Sequence, residues 1–448
     1  MRRLFLWTVI LTMSILMVAV FSLSGCKAEE AAPAEEEAAE EAAPAEEEAA
    51  EEAAPAEEVE ISFQYIGGTV PNVDGIINDA IAAFEDLNPN VTVKTIYVDW
   101  GNAHSQFMNS VAAGMAPDIG MLAGTWAVEF VESGALADIS PYVSQEVLDT
   151  FIPSGFAAMT DAEGNIYGIP WDGCSWGLFY RTDLFEKAGL SAPPQSWEEL
   201  VEYGQLLSDG TTSGLMMSAL GWEPDDNFLP FLWQAGANVC KLEDGKWIGT
   251  FDTPEAKEAV QFYYDLVNKY EIMPQTITGM DWEAVMNSFI AGDTAMMVNG
   301  MWVIGMILNN HPELDGKWAT ALNPAGPGGI AALSYPNTMH ISQQCKNKEV
   351  AGQFLDFFYS EGYYDEYCIQ CGVFPFTKDF VNSDYAQDEF LKPFIELASY
   401  GKNRPASPKY EEFRQLFLNP GIQSLIADEI TVDDFCEQMN EAFNLLHQ

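Results

Sequence analysis

The chain has 448 residues and sets 68 acidic side chains against 19 basic ones, a formal net charge of −49. Such a field repels phosphate backbones and excludes DNA and RNA as partners. At 48% hydrophobic and 12% aromatic residues there is material for a large core, and the length exceeds what one core serves, so two α/β units are expected.

In chain order, Arg2 and Arg3 precede an apolar run from Leu4 to Leu23, the charged and greasy parts of an export signal. The run is also long enough to span a bilayer, so a retained helix is the alternative. Leu23-Ser24-Gly25-Cys26 resembles the lipobox of bacterial lipoproteins. That resemblance implies a lipoprotein signal peptide over 1–25 and a diacylglycerol and palmitate anchor on Cys26. The protein is therefore expected outside the cytoplasm, touching the membrane only through its N-terminal lipid. Residues 26–59 repeat an acidic Ala/Glu/Pro unit, with Pro33, Pro44 and Pro55 eleven apart. With no aromatic residue to bury, this segment reads as an extended tether.

From residue 60 the pattern changes. Glu60 to Gly68 alternates like a strand and ends in two glycines, where backbone can approach a ligand closely. A helix is predicted from Asp74 to Leu87, a strand from Val91 to Val98 and a helix from Asn102 to Ala113. This alternation predicts a parallel sheet covered by helices, with ligand beyond the carboxyl ends of its strands. Ser196 to Leu207 opens with a capping box, and Thr253 followed by Pro254 starts another helix. Lys348–Ser360, Tyr410–Phe417 and Val432–Leu446 also carry helical spacing. The C-x-x-C of Cys368 and Cys371 reads as a local disulfide or as two buried thiols, and His104, His311, His340 and His447 show no ligand spacing. No metal or cofactor is expected.

Several segments resemble, in order, the extracellular solute-binding proteins of carbohydrate ABC importers, the group that includes maltose-binding protein. They are Ala112 to Ile119, Tyr167-Gly-Ile-Pro170 with Leu178 to Gly189, Pro194 to Leu200, and Phe289 to Met296 followed by Asn299-Gly-Met-Trp302. The resemblance covers nearly all of 60–448. It implies an α/β fold of the type II periplasmic-binding-protein kind, two lobes joined by a multi-strand hinge and closing around the ligand. Lobe 1 would comprise 60–172 and 333–371, and lobe 2 would comprise 173–332 and 372–448. Chain crossings are expected near Trp171–Ser175, Ala332–Pro336 and Cys371–Phe374. A monomer that hands a sugar to the permease subunits of an ABC transporter, without catalysis, is the implied function.

A neutral sugar presents apolar faces and a ring of hydroxyls, so aromatic rings and planar polar side chains suit it. Trp302, Trp171, Trp176, Trp126, Trp222, Trp233 and Tyr335 are the candidate stacking residues, and Gly67, Gly68, Asp118, Asp172 and Arg404 the polar and backbone candidates. Core packing is the competing reading for each, and Asp118 serves equally as a cap. Cys174-Ser175 departs from the family, several of whose members place a carboxylate or amide there. Two other functions compete. A glycoside hydrolase needs two facing carboxylates, which nothing here singles out, and a polyamine would suit acids and aromatic rings through cation–π contacts.

Overall fold

The computed structural model describes residues 57–67, 73–156, 159–161 and 163–448; the export segment, Cys26, the tether up to residue 56 and Gly68 lie outside the described residues. The first strand, β1 (Val59–Gly67), pairs in parallel with β2 (Val91–Asp99) over its whole length and with β3 (Ile119–Ala123). Helices Val73–Leu87 and Trp100–Ala112 make the crossovers, as the alternating pattern predicts. Buried Ile77, Phe84, Ala103 and Phe107 face the sheet side of these helices.

Two long strands then carry the sheet onward. β4 (Ile169–Tyr180) is buried at eleven of its twelve positions, and β10 (Ala332–Ile341) lies antiparallel to it. Between them in sequence come β5 (Ser213–Met216), the hairpin of β6 (Cys240–Glu243) and β7 (Lys246–Gly249), β8 (Thr294–Gly300) and β9 (Ala319–Ala321); short β11 (Gly401–Lys402) follows. The large sheet runs β2-β1-β3-β10-β4-β8-β5, with β9 on β4 and β11 on β10. β10 gives Asn337–Ile341 to β3 and Ser334–Met339 to β4. β4 turns from β10 to β8 at Trp176, which pairs with Gly300. Continuous apolar strands of this kind belong to a sheet covered on both faces.

The three segments expected as crossings lie side by side at one residue. Gly173 is opposite Pro336 of β10, and its backbone N–H donates to the Phe374 carbonyl at 2.7 Å. A Cβ on Gly173 would meet the Phe374 ring at 2.1 Å, so only glycine permits this approach.

The predicted helix ends agree where cap chemistry is explicit. Ser196 accepts from the Glu199 N–H, Thr253 from that of Ala256, and Thr431 and Asp434 cap each other reciprocally, as hydroxyl N-caps do. Tyr410–Phe417 differs. Helix Tyr410–Phe413 passes into a π-helical turn, Arg414–Leu418, before helix Asn419–Ile426. Arg414 there is fully buried and held by Glu411, a pairing that spacing alone does not reveal. Among the described residues, no helix is long and apolar enough to cross a membrane, and no group of His, Cys, Asp or Glu is arranged to hold a metal ion. Cys368 and Cys371 are separate buried thiols, which decides between the two readings of that pair.

Candidate ligand-binding site

A cavity of about 300 Å³ opens at the carboxyl ends of β1, β2 and β8 and against the middles of β4 and β10. Strand geometry decides what faces it. Side chains alternate along a strand, so Asp172, Cys174 and Trp176 of β4, and Tyr335 and Asn337 of β10, line the cavity. Their neighbours point away. Gly67 ends β1 at the wall, and Trp100 and Gly101 follow β2 there.

The aromatic part of the wall is a set of edge-to-face rings. Trp176 meets Trp302 at 5.0 Å and 82°, Trp302 meets Trp282 at 6.0 Å and 86°, and Tyr335 lies 5.8 Å from Trp176. Edge-to-face contacts are the arrangement the ring quadrupole favours, and they fix each ring by its neighbour. Asn299 reinforces the set, because its amide donates to the Trp282 carbonyl at 3.2 Å. Gly300 is required here: a Cβ would fall 1.9 Å from the Trp302 ring. Across the cavity, Trp222 is backed by the Arg414 guanidinium 3.6 Å from its ring centroid, and Arg414 also donates to the Trp222 carbonyl at 2.6 Å.

The polar part is acidic. Asp172, Glu223, Asp226 and Asp281 line the cavity, and none of the described lining residues is Lys, Arg or His. Asp172 accepts from the Asn337 amide at 2.7 Å; burial nonetheless pushes its carboxyl up to about 6. Glu223 is raised well above the carboxylate range by burial, with Asp226 adding to it. Asp281 caps helix Trp282–Ala291 by accepting from the Ala284 N–H at 2.9 Å. Behind the wall stands an ion network. Arg404 donates to Asp225 at 2.8 Å and to Asp226, and Arg414 to Asp225 at 3.1 Å and Glu411 at 2.7 Å. Burial opposes ionisation of Asp225, yet the two guanidinium groups hold it below its ordinary range. Burial moves Asp226 upward, with Arg404 pulling against it. Three acceptor atoms of lining residues are buried without a partner: Asp226 Oδ2, Glu223 Oε2 and Asn337 Oδ1. Buried polar atoms are nearly always paired; these three belong to residues that line the cavity, while other unpaired atoms, Trp171 Nε1 and Tyr263 Oη among them, lie away from it.

Of the residues named from sequence, the structure brings Trp302, Trp176, Trp222, Tyr335, Asp172 and Gly67 to this cavity. Five others stand elsewhere. Trp171 is fully buried beside Phe358 and Tyr367, at 5.0 and 4.6 Å, because it occupies the opposite face of β4 from Asp172. Trp126 is buried edge-on between Trp100 and Trp222 and supports both from behind. Trp233 is buried in helix Pro224–Gln234. Asp118 accepts from the Ser62 backbone at 2.9 Å and hydroxyl at 2.8 Å, which ties the start of β3 to β1. Arg404 is the counter-ion of the wall rather than part of it. Sequence reasoning missed Trp100, Trp282, Glu223, Asp226 and Asn337. The rule that singled out Gly67, the carboxyl end of a strand, points equally to Trp100 after Val98-Asp99. Of the departure at Cys174-Ser175, Cys174 faces the cavity while Ser175 donates to Ser334 at 2.9 Å on the other side.

A mixed sheet with a tryptophan-walled cavity at its strand ends defines a protein built to hold a small molecule. The chain belongs to the bacterial extracellular solute-binding proteins, whose family description it matches over residues 67–365. A Brucella abortus protein (strain 2308) is 27% identical over 341 residues, covering 75% of this chain and 81% of that one. The arabinooligosaccharide-binding protein of Halalkalibacterium halodurans is 25% identical over 291 residues, 62% of this chain and 63% of its own. Among solved structures, maltose-bound MalE3 of T. maritima superposes with a TM-score of 0.78 at 24% identity, over 87% of this chain and all of that one. The family is one of binding proteins of ABC importers rather than enzymes.

Proposed function

We propose that this chain captures a mono- or short oligosaccharide in the cavity and delivers it to the permease of an ABC importer. The observation that carries the reading is the wall itself: five tryptophans, Trp100, Trp176, Trp222, Trp282 and Trp302, beside unpaired hydrogen-bond acceptors. Rings match the C–H faces of a sugar, and the acceptors match its hydroxyls. The arabinooligosaccharide-binding relative supports the same ligand class. The volume lies at the small end of ligand pockets and equals the liquid volume of roughly ten waters, which suits one or two sugar rings.

In this reading residues 60–172 with 333–371 form one lobe and 173–332 with 372–448 the other, and they rock about Gly173. Cys26 carries the lipid and the tether holds the lobes off the membrane. A thermal-shift screen against neutral sugars, amino sugars and polyamines tests the ligand class, since a ligand at 100 times its Kd adds about 2.7 kcal/mol of stability. Trp302→Ala is expected to weaken binding roughly 30-fold, about 2 kcal/mol, while the protein stays folded; unchanged affinity moves the site elsewhere. Cys26→Ser is expected to move the protein from the membrane fraction to the medium, and retention of an uncleaved membrane form refutes the anchor.

A further inference from the structure

We propose that the ligand is a short saccharide carrying a protonated amino group, an inference that rests on the carbohydrate reading of the same cavity. Four carboxyl groups line it, and no described lining residue carries a basic side chain. Among the described residues, only Asp226 of the four touches a cation, Arg404, and that guanidinium is shared with Asp225. The two buried arginines of this network, Arg404 and Arg414, face three acids, Asp225, Asp226 and Glu411. With its three acids ionised, this ion cluster is one positive charge short, before Asp172 and Glu223 are considered. A buried carboxylate without a counter-ion is costly.

The unpaired atoms of the lining residues point the same way. Asp226 Oδ2, Glu223 Oε2 and Asn337 Oδ1 belong to residues at least 92% buried, and with the two carboxyls ionised all three are acceptors. A hydroxyl would bring one donor together with lone pairs that need donors of their own. An ammonium group brings three donors and no acceptor. Tryptophan faces add cation–π attraction. Burial also keeps protons on Asp172 and Glu223 beyond the ordinary carboxylate range, which is how a wall of acids accommodates its charge until a cation replaces those protons.

The test is calorimetric titration of the purified full chain with matched sugars that differ at one position: glucosamine against glucose, galactosamine against galactose, mannosamine against mannose, and the β-1,4 glucosamine disaccharide against cellobiose. N-acetylglucosamine keeps the nitrogen and removes the charge. In at least one pair the amine is expected to bind ten-fold or more tightly than its hydroxyl partner, and more tightly than the acetylated form where that exists. Asp172→Asn and Glu223→Gln, checked for cooperative unfolding, are each expected to shrink that ratio at least three-fold. Neutral sugars binding as tightly as their amines overturn the charge while leaving the carbohydrate reading intact, and so does a ratio that survives both substitutions. Spermidine or putrescine binding when no sugar does overturns both.

Discussion

The two faces of β4 are cut from one run of residues, equally buried, yet they are finished differently. On one face Trp171 is surrounded by rings, Ser175 is bonded to Ser334 and Gly173 is pressed against Phe374. On the other, Asp172, Cys174 and Trp176 open on the cavity, beside acceptors with nothing to accept. Burial therefore does not separate packing residues from those that line the cavity. Strand alternation does, because it turns Trp171 into packed rings and Asp172 toward the cavity, while unpaired buried polar atoms occur on both sides, Trp171 Nε1 included.

Three substitutions break or sharpen this contrast. The largest effect is expected from Arg404→Ala, which strips Asp226 of its cation and Asp225 of one of two while leaving both carboxyls buried. Breaking such a pair costs about 5 kcal/mol, read as a lowered urea midpoint. Next is Trp171→Ala, a cavity in the packed face, with a cost of about 4 kcal/mol. Because Trp171 does not line the ligand cavity, the folded fraction is expected to retain its ligand affinity, in contrast with Trp302→Ala. The smallest effect has the opposite sign. Burial raises the Asp172 carboxyl from 3.8 to about 6, so its protonated form favours the folded state. That advantage is full below about pH 4 and lost as pH rises through about 6. Asp172→Asn keeps an acceptor for Asn337 and cannot ionise. It is expected to stabilise the unliganded protein by about 2–3 kcal/mol at pH 8 and to do little at pH 4, measured by denaturation at the two pH values.

The architecture was legible where local chemistry determines it. Val432–Leu446 and Lys348–Ser360 have the bounds that helical spacing predicts, and Ser196, Thr253 and Thr431 each cap a helix as hydroxyl side chains do. β1 begins at Val59, one residue before the expected boundary. The site was half legible. Trp302 and Trp176 came from motif and crossing, but period-2 alternation along β4 separates Trp171 from Asp172 and was the signal left unused. Glu223 and Asp226 were illegible because they stand in a turn and a helix start that reach the wall only by tertiary packing. Arg414 was hidden for a different reason: a π turn shifts its direction relative to a regular helix.

Six cysteines among the described residues are all buried and free. Burial raises every one of them, Cys436 to about 11 and Cys240 and Cys345 to about 12, with Cys174, Cys368 and Cys371 higher still. Since only the thiolate attacks, these six groups are expected to react slowly with alkylating reagents at neutral pH while the chain is folded. A maleimide pulse would thus count opened molecules without any label being engineered in. A probe cysteine placed on the acidic surface would be modified ahead of these six thiols.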